Sequence, residues 1–371
     1  REQMQAMRTN LQDPILPVRA HGLHLLTRLV SRVARNHSAK CYGDELDHAL
    51  IPEIFDLFLH AIQDDESFLY LNAVQGLAQM AMSWRDAVLR PLMAMYVGGD
   101  KTQDGMSHAL SYGQELTQRE TDQRLRIGEA ILQVLQHLGE AVVSELDRIV
   151  PPLLTAVRNP LFSATLRSSF ISILGTCVEI APTALAADRS SVHMVHMCTE
   201  LIQATTESRA IRHRSRVRAS VQGVGAGGEV TERALDEEDE EEAMWQREAT
   251  SGTDRDVHRP QLRRAALLLL LMLLRATQEQ LDDYRESCER DLDHIDAPLS
   301  ALRLPGGGVL PDVHGRAKPT LPPLLVPVDV LGSVMPVVTY MAQEEADNVV
   351  RVQAQDCIDH IRLVELAYIG L

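Results

Sequence analysis

Between Leu50 and Ala81 the chain reads LIPEIFDLFLHAIQ, then DDES, then FLYLNAVQGLAQMA. In the first stretch Ile51, Ile54, Phe55, Phe58 and Ile62 recur at helical spacing and predict one apolar face. In the second, Leu69, Ala73, Leu77 and Met80 make one stripe, with Val74, Ala78 and Ala81 beside it. A helix apolar on two sides needs cover on two sides, so the pair predicts one neighbour before it and one after it. The four-residue linker from Asp64 to Ser67 is expected to supply capping oxygens and negative charge to the second helix.

The unit returns in degenerate form along the chain. Second-helix echoes are Val18-Arg19 with Gly22 and Leu26, Arg124-Leu125-Arg126 with Ala130 and Val134, and Leu166-Arg167 with Ile171 and Leu174. Further echoes are Leu262-Arg263 with Ala266 and Leu270, and Val350-Arg351 with Ala354 and Ile358. Most follow an acidic or amide residue in a short turn: Asp13-Pro14, Asn159-Pro160, Asp347-Asn348. First-helix echoes set a proline beside aliphatics, at Pro52, Pro91, Pro151-Pro152 and Pro336, where it opens or kinks a helix. The pattern resembles HEAT repeats and predicts an all-α fold, a HEAT/armadillo-like helical-repeat solenoid. The anchors at 18, 69 and 125 are 51 and 56 residues apart, so the loops must be long.

Three segments follow: helical repeats over 1–208, a charged insertion over 209–258, and repeats over 259–371 completing the same solenoid. Helices are expected at 85–97 and at about 120–138, 140–157, 161–181 and 184–205, then at 260–276, 324–342 and 346–364. The insertion runs from RAIRHRSRVR through GVGAGG to seven consecutive acids, Asp236 to Glu242. Opposed charge blocks without apolar anchors predict disorder there. Residues 36–45, 98–119 and 304–323, polar or rich in glycine and proline, read as loops.

Composition narrows the chemistry. Aromatics are 4%, and five scattered cysteines without a C-x-x-C suit a reducing compartment and indicate no disulfide framework. The run Ala265–Leu274, flanked by arginines, is half the length of a membrane span and reads as a buried helix. Gly223, Gly225 and Gly228 spell G-x-G-x-x-G, but no strand precedes them and an acidic run follows, so a flexible linker is the better reading. His193, His196 and Cys198 do not converge on a regular helix and have no fourth ligand in view, and His21 and His24 lack a carboxylate in register. No nucleophile elbow or P-loop occurs, so no enzyme, metal or cofactor is expected. Net charge is −16; the insertion, with 8 basic and 12 acidic residues, holds −4 of it, leaving −12 on the helical body. That balance disfavours direct binding to nucleic acid or anionic membrane and favours a basic or mixed-charge protein partner. The basic stretch at 209–218 reads either as a solvated loop or as a site for nucleic acid or an import receptor. The repeated arginines Arg19, Arg126, Arg167, Arg263 and Arg351, with Tyr70 and Asn72, are the candidate residues of a repeat ladder or a partner groove.

Three stretches carry a family resemblance: VRAHGLHLLTRLV after Asp13-Pro14, DDESFLYLNAVQGLAQMA, and RRAALLLLLMLLRA. They resemble the C-terminal regions of the RNA polymerase II assembly and nuclear-import factor family, whose animal members are named transport and Golgi organization protein 6. The first two, with Arg124, Arg126, Gly128, Glu129 and Ala130, resemble its first C-terminal segment, and the Leu-rich helix resembles its second. The resemblance implies a non-enzymatic scaffold in the cytoplasm, shuttling to the nucleus, with no cofactor. It implies contact with RNA polymerase II subunits, their assembly chaperones and nucleoporins. An alternative reading of the same repeats is a transport-receptor or adaptin-like trafficking solenoid acting in the secretory pathway; a regulatory subunit of a phosphatase or kinase rests on fold analogy alone.

Overall fold

The computed structural model describes residues 2–38, 49–98, 116–203, 259–293, 321 and 323–370. Among these residues the regular structure is helical, without a strand. The elements are α1 (Glu2–Leu11), α2 (Leu16–Ser38), α3 (Leu50–Ile62), α4 (Ser67–Ser83), α5 (Arg85–Val97) and α6 (Gln118–Leu138). A 3-10 segment (Gly139–Glu145) leads into α7 (Leu146–Arg158), followed by α8 (Ala164–Ile180) and α9 (Pro182–Ala187). Then come α10 (190–203), α11 (Arg259–Asp293), α12 (Val328–Glu344) and α13 (Asn348–Ile369). The insertion at 209–258, the break at 39–48 and most of the 304–323 loop lie outside the described residues.

Two compact units share the chain: Arg1–Ala181 with Glu200–Ala266, and Pro182–Thr199 with Leu267–Leu371. In the first, α1 packs on α2, α3 on α4, α5 on α6 and α7 on α8, each helix against its successor. The even-numbered helices also pack on one another in order, α2 on α4, α4 on α6 and α6 on α8, while α5 touches α3 and α7. The result is two rows of helices with the core between them, the two-sided cover that the stripes of α4 demand. Every residue of both predicted stripes of α4 is buried, as is the whole predicted face of α3. Fully burying each large side chain among them (Ile54, Phe58, Leu69, Leu77) stabilises the fold by about 1.5–3 kcal/mol.

The turn chemistry is as regular as the core. Asp13 Oδ1 accepts from the Ile15 N–H (2.8 Å), Asp64 Oδ1 from Glu66 (3.0 Å), Asn159 Oδ1 from Leu161 (3.0 Å) and Asp347 Oδ1 from Val349 (2.9 Å). Such side-chain turns bend the chain into the next even-row helix or its counterpart α13. At Asp64 this departs from the expected capping: the N-cap residue is Glu66, whose side chain makes no capping bond, and the aspartate acts two residues earlier. α6 opens with a full capping box, Thr117 Oγ1 accepting from the Glu120 N–H (3.3 Å) and Glu120 Oε2 from the Thr117 N–H (2.8 Å). Replacing Thr117 by alanine is expected to cost about 1 kcal/mol in a denaturation experiment; an unchanged midpoint would show that the box contributes nothing.

In the second unit, the strap before α12 is tied to α11. The Leu325 N–H donates to Gln280 Oε1 (2.9 Å) and the Val326 N–H to Thr277 Oγ1 (3.1 Å), whose hydroxyl donates to the Leu273 carbonyl (2.7 Å). α12 packs on α13, and the buried Cys357 thiol points at the Leu267 carbonyl (3.6 Å).

Three helices differ from the periodicity. The stretch at 140–157 is not one helix, because Gly139, at φ 53°, starts a 3-10 segment before α7. The helix expected at 184–205 is split after α9, with Arg189 at φ 58° in the turn. The Leu-rich helix continues to Asp293, a charged extension with no apolar stripe strong enough to announce it.

Candidate protein-interaction surface

Cys177, Cys198 and Cys357 are buried. No group of histidine, cysteine and carboxylate residues able to hold a metal stands among the described residues. His193 and His196 are exposed while Cys198 is buried, so the three face different ways. None of the described helices is long and apolar enough to cross a membrane. A cavity of about 220 Å³ lies between α5 and α7, lined by Leu89, Met93, Val97 and Ile149, with Arg90 and Arg148. Its charges are matched internally: Arg148 pairs with Asp86 and Glu145, and Arg90 with Asp86.

Arg19 on α2 and Arg126 on α6 are 107 residues apart in sequence, yet both reach the α3–α4 turn. Arg19 pairs with Asp64 (3.5 Å) and donates to the carbonyls of Asp13 (3.4 Å) and Pro14 (3.2 Å) in its own turn. From α6, Arg126 donates to the carbonyls of Gln63 (3.2 Å) and Asp64 (2.9 Å) and to Asp65 Oδ1 (3.3 Å). A guanidinium suits this place because carbonyls left over at a helix C-terminus need donors and the helix dipole is negative there. Arg167 does the same for its own pair, Nε donating to the Val157 carbonyl at the end of α7 (2.6 Å). Arg351 bonds Asn348 in its own turn, and Arg263 is buried.

Tyr70 is half-buried, and burial, followed by the neighbouring Glu129 carboxylate, pushes its phenol well above the ordinary range. It is therefore neutral at any ordinary pH. Asn72 uses its amide N–H on the Phe68 carbonyl one turn back (2.8 Å). The structure thus brings Arg19 and Arg126 together around one turn, sets Tyr70 near Arg126 and Glu129, and leaves Asn72, Arg167, Arg263 and Arg351 at other places.

Two features have no counterpart in the sequence reading. The first is a buried cationic node: Arg124 is 8% exposed, donates to the Tyr96 carbonyl (3.0 Å) and lies over the Phe162 ring (5.6 Å to the centroid). Burial lowers its pKa, with Glu120 acting in the opposite direction. The second is exposure of large apolar residues on α4, where Phe68 is 59%, Leu71 57% and Met82 49% accessible. Their spacing was visible in FLYLNAVQGLAQMAM, but a helix apolar on several sides does not say which side stays open.

Residues 4–141, from α1 into the 3-10 segment, match the family model described as "Required for nuclear transport of RNA pol II C-terminus 1". The chain is also similar to the RNA polymerase II assembly factor RTP1 of Saccharomyces cerevisiae, 23% identical over 176 residues. Both matches support, over this part of the chain, the RNA polymerase II assembly and nuclear-import factor family that its sequence resembles. The aligned region is 46% of this chain and only 15% of the yeast relative's length. The matched segment holds the α3–α4 turn with Arg19, Arg126, Tyr70 and Asn72, and also Phe68, Leu71 and Met82. Arg167, Arg263 and Arg351 fall beyond it.

Proposed function

We propose that this chain is a non-catalytic protein-binding scaffold, a HEAT-like solenoid that holds RNA polymerase II subunits during assembly and nuclear import. The observation that carries the reading is the family match over 4–141, which coincides with stacked helix pairs whose even-numbered helices form a continuous row. Stacked pairs present an extended surface suited to another protein rather than a closed pocket for a small molecule. In this reading Arg19 and Arg126 act as the rungs of a ladder, tying the pairs before and after to the α3–α4 turn so that the row keeps its register, while Arg167 and Arg351 brace their own turns. The acidic balance of the chain favours basic surfaces on the polymerase subunits and their assembly chaperones. In this reading, as the family resemblance implies, the protein works in the cytoplasm and shuttles to the nucleus by contact with nucleoporins.

Depletion in cells tests this directly. The expected result is cytoplasmic accumulation of the largest polymerase II subunits while secretion initially continues. Normal nuclear polymerase alongside an early secretory block would reject the reading in favour of a trafficking solenoid.

A further inference from the structure

In the first unit α4 has α3 and α5 on one side and α2 and α6 on its flanks, which leaves its fourth side to solvent. On that side stand Phe68, Leu71, Gln75 and Met82, at i, i+3, i+7 and i+14 on one helical stripe. Exposed helix faces normally carry charge, and grouped large apolar residues there mark an interaction site. The even-row neighbours show their own stripes. On α2 the exposed positions His21, His24, Arg28 and Arg32 share a face; on α6 they are Asp122, Glu129 and Gln133, with Arg126 on the same stripe but its guanidinium engaged by the α3–α4 turn. Gln79 and His137, 2.9 Å apart, join α4 to α6 beside the apolar stripe. The open face therefore runs from basic on α2, through apolar on α4, to acidic on α6.

We propose that this face docks one amphipathic helix of a partner protein. The apolar side of that helix rests on Phe68, Leu71 and Met82, its carboxylates face Arg28 and Arg32, and its basic residues face Asp122 and Glu129. The stripe from Phe68 to Met82 spans about 21 Å at 1.5 Å per residue, the length of roughly four helical turns. The apolar anchors Phe68, Leu71 and Met82 stand at i, i+3 and i+14 with Gln75 between them, a seam that the i, i+3 and i+7 anchors of a partner helix can fill. The opposed flanks add selectivity, because a partner with a single sign of charge meets repulsion on one side. That the partner is a polymerase subunit rests on the assembly reading; the shape and charge pattern of the site do not.

The test uses the full chain and labelled 18-residue amphipathic peptides that share one apolar face. One peptide has an acidic and a basic flank, one has two acidic flanks and one has two basic flanks. In fluorescence anisotropy the mixed-flank peptide should bind at least tenfold more tightly than either of the others. The double variant Phe68→Glu with Leu71→Glu should lose that binding while keeping its helical circular dichroism, since both side chains are exposed, position 68 lies in the first turn of α4 and glutamate is a good helix former at position 71. Equal binding of all three peptides, or an unaffected double variant, overturns the proposal. So does a wild-type chain that dimerises in sedimentation equilibrium through this face, with the double variant monomeric, because the occupant is then a second copy. Capture of polymerase II subunits from extract separates the two readings. Capture by wild type that is lost in the double variant supports both, and equal capture by both proteins overturns the docking face but keeps the assembly reading. Failure of wild type to capture counts against the assembly reading, and the peptide result then decides the face alone.

Discussion

Tyr96→Ala is expected to destabilise the first unit by about 3–5 kcal/mol, the range for removing a buried aromatic side chain from a core that cannot fully collapse. Tyr96 is completely buried near the end of α5, and three helices depend on its ring. The Phe170 ring of α8 meets it edge-on, with centroids 4.7 Å apart and planes at 72°. Gly128 of α6 lies so close that an added Cβ would sit 2.6 Å from the ring, so α6 approaches α5 only because that position has no side chain. The phenol reaches Ser169 Oγ at 2.6 Å. Alanine would therefore open a void where α5, α6 and α8 meet and would also leave Ser169 without this partner. Tyr96→Phe should cost only about 1 kcal/mol, since the ring remains and one hydrogen bond is lost. Calorimetry should show the alanine variant's transition lowered by roughly 10 °C. A drop of a degree or two would mean that the ring does not join the three helices.

The second large effect is expected at the crossing of α3 and α4. A Cβ on Gly76 would fall 2.1 Å from Cε1 of Phe58, and Phe58 is fully buried. Gly76→Val is therefore expected to cost about 3 kcal/mol by overpacking, although valine is the better helix former. Phe58→Ala alone should cost a similar amount by leaving a cavity. Because the added and the deleted atoms compete for one space, the double variant should be about 2 kcal/mol more stable than the sum of the single losses, within the range for residues in contact. A denaturant double-mutant cycle measures this difference. Additive losses would show that the Phe58 ring does not occupy the space over Gly76.

Both predictions concern contacts that a linear reading reaches only in part. The apolar stripes of α3 and α4 were legible residue by residue, because a period of 3.6 in the side chains leaves the same trace in any sequence that buries one helical face. The turn residues Asp13, Asn159 and Asp347 were legible for a similar reason, since a side chain that bonds a backbone N–H two positions on acts within a few residues. The split after α9 was not, because the left-handed turn at Arg189 uses a residue with no preference for that conformation.

The local order of this protein, its alternation of helix and turn, was determined by the sequence alone, because hydrophobic period and turn chemistry are short-range. The family resemblance was legible too, in short runs such as DDESFLYLNAVQGLAQMA, which lies within the matched residues 4–141. Which helices meet was decided only by the tertiary structure. Arg19 and Arg126 were visible as repeated arginines, but their common target, the turn at 63–65, depends on α2 and α6 flanking α4. The same holds for Phe68, Leu71 and Met82. Hydrophobicity makes them candidates for burial, and only the order of packing leaves them on the open side, since every other side of α4 has a helix against it.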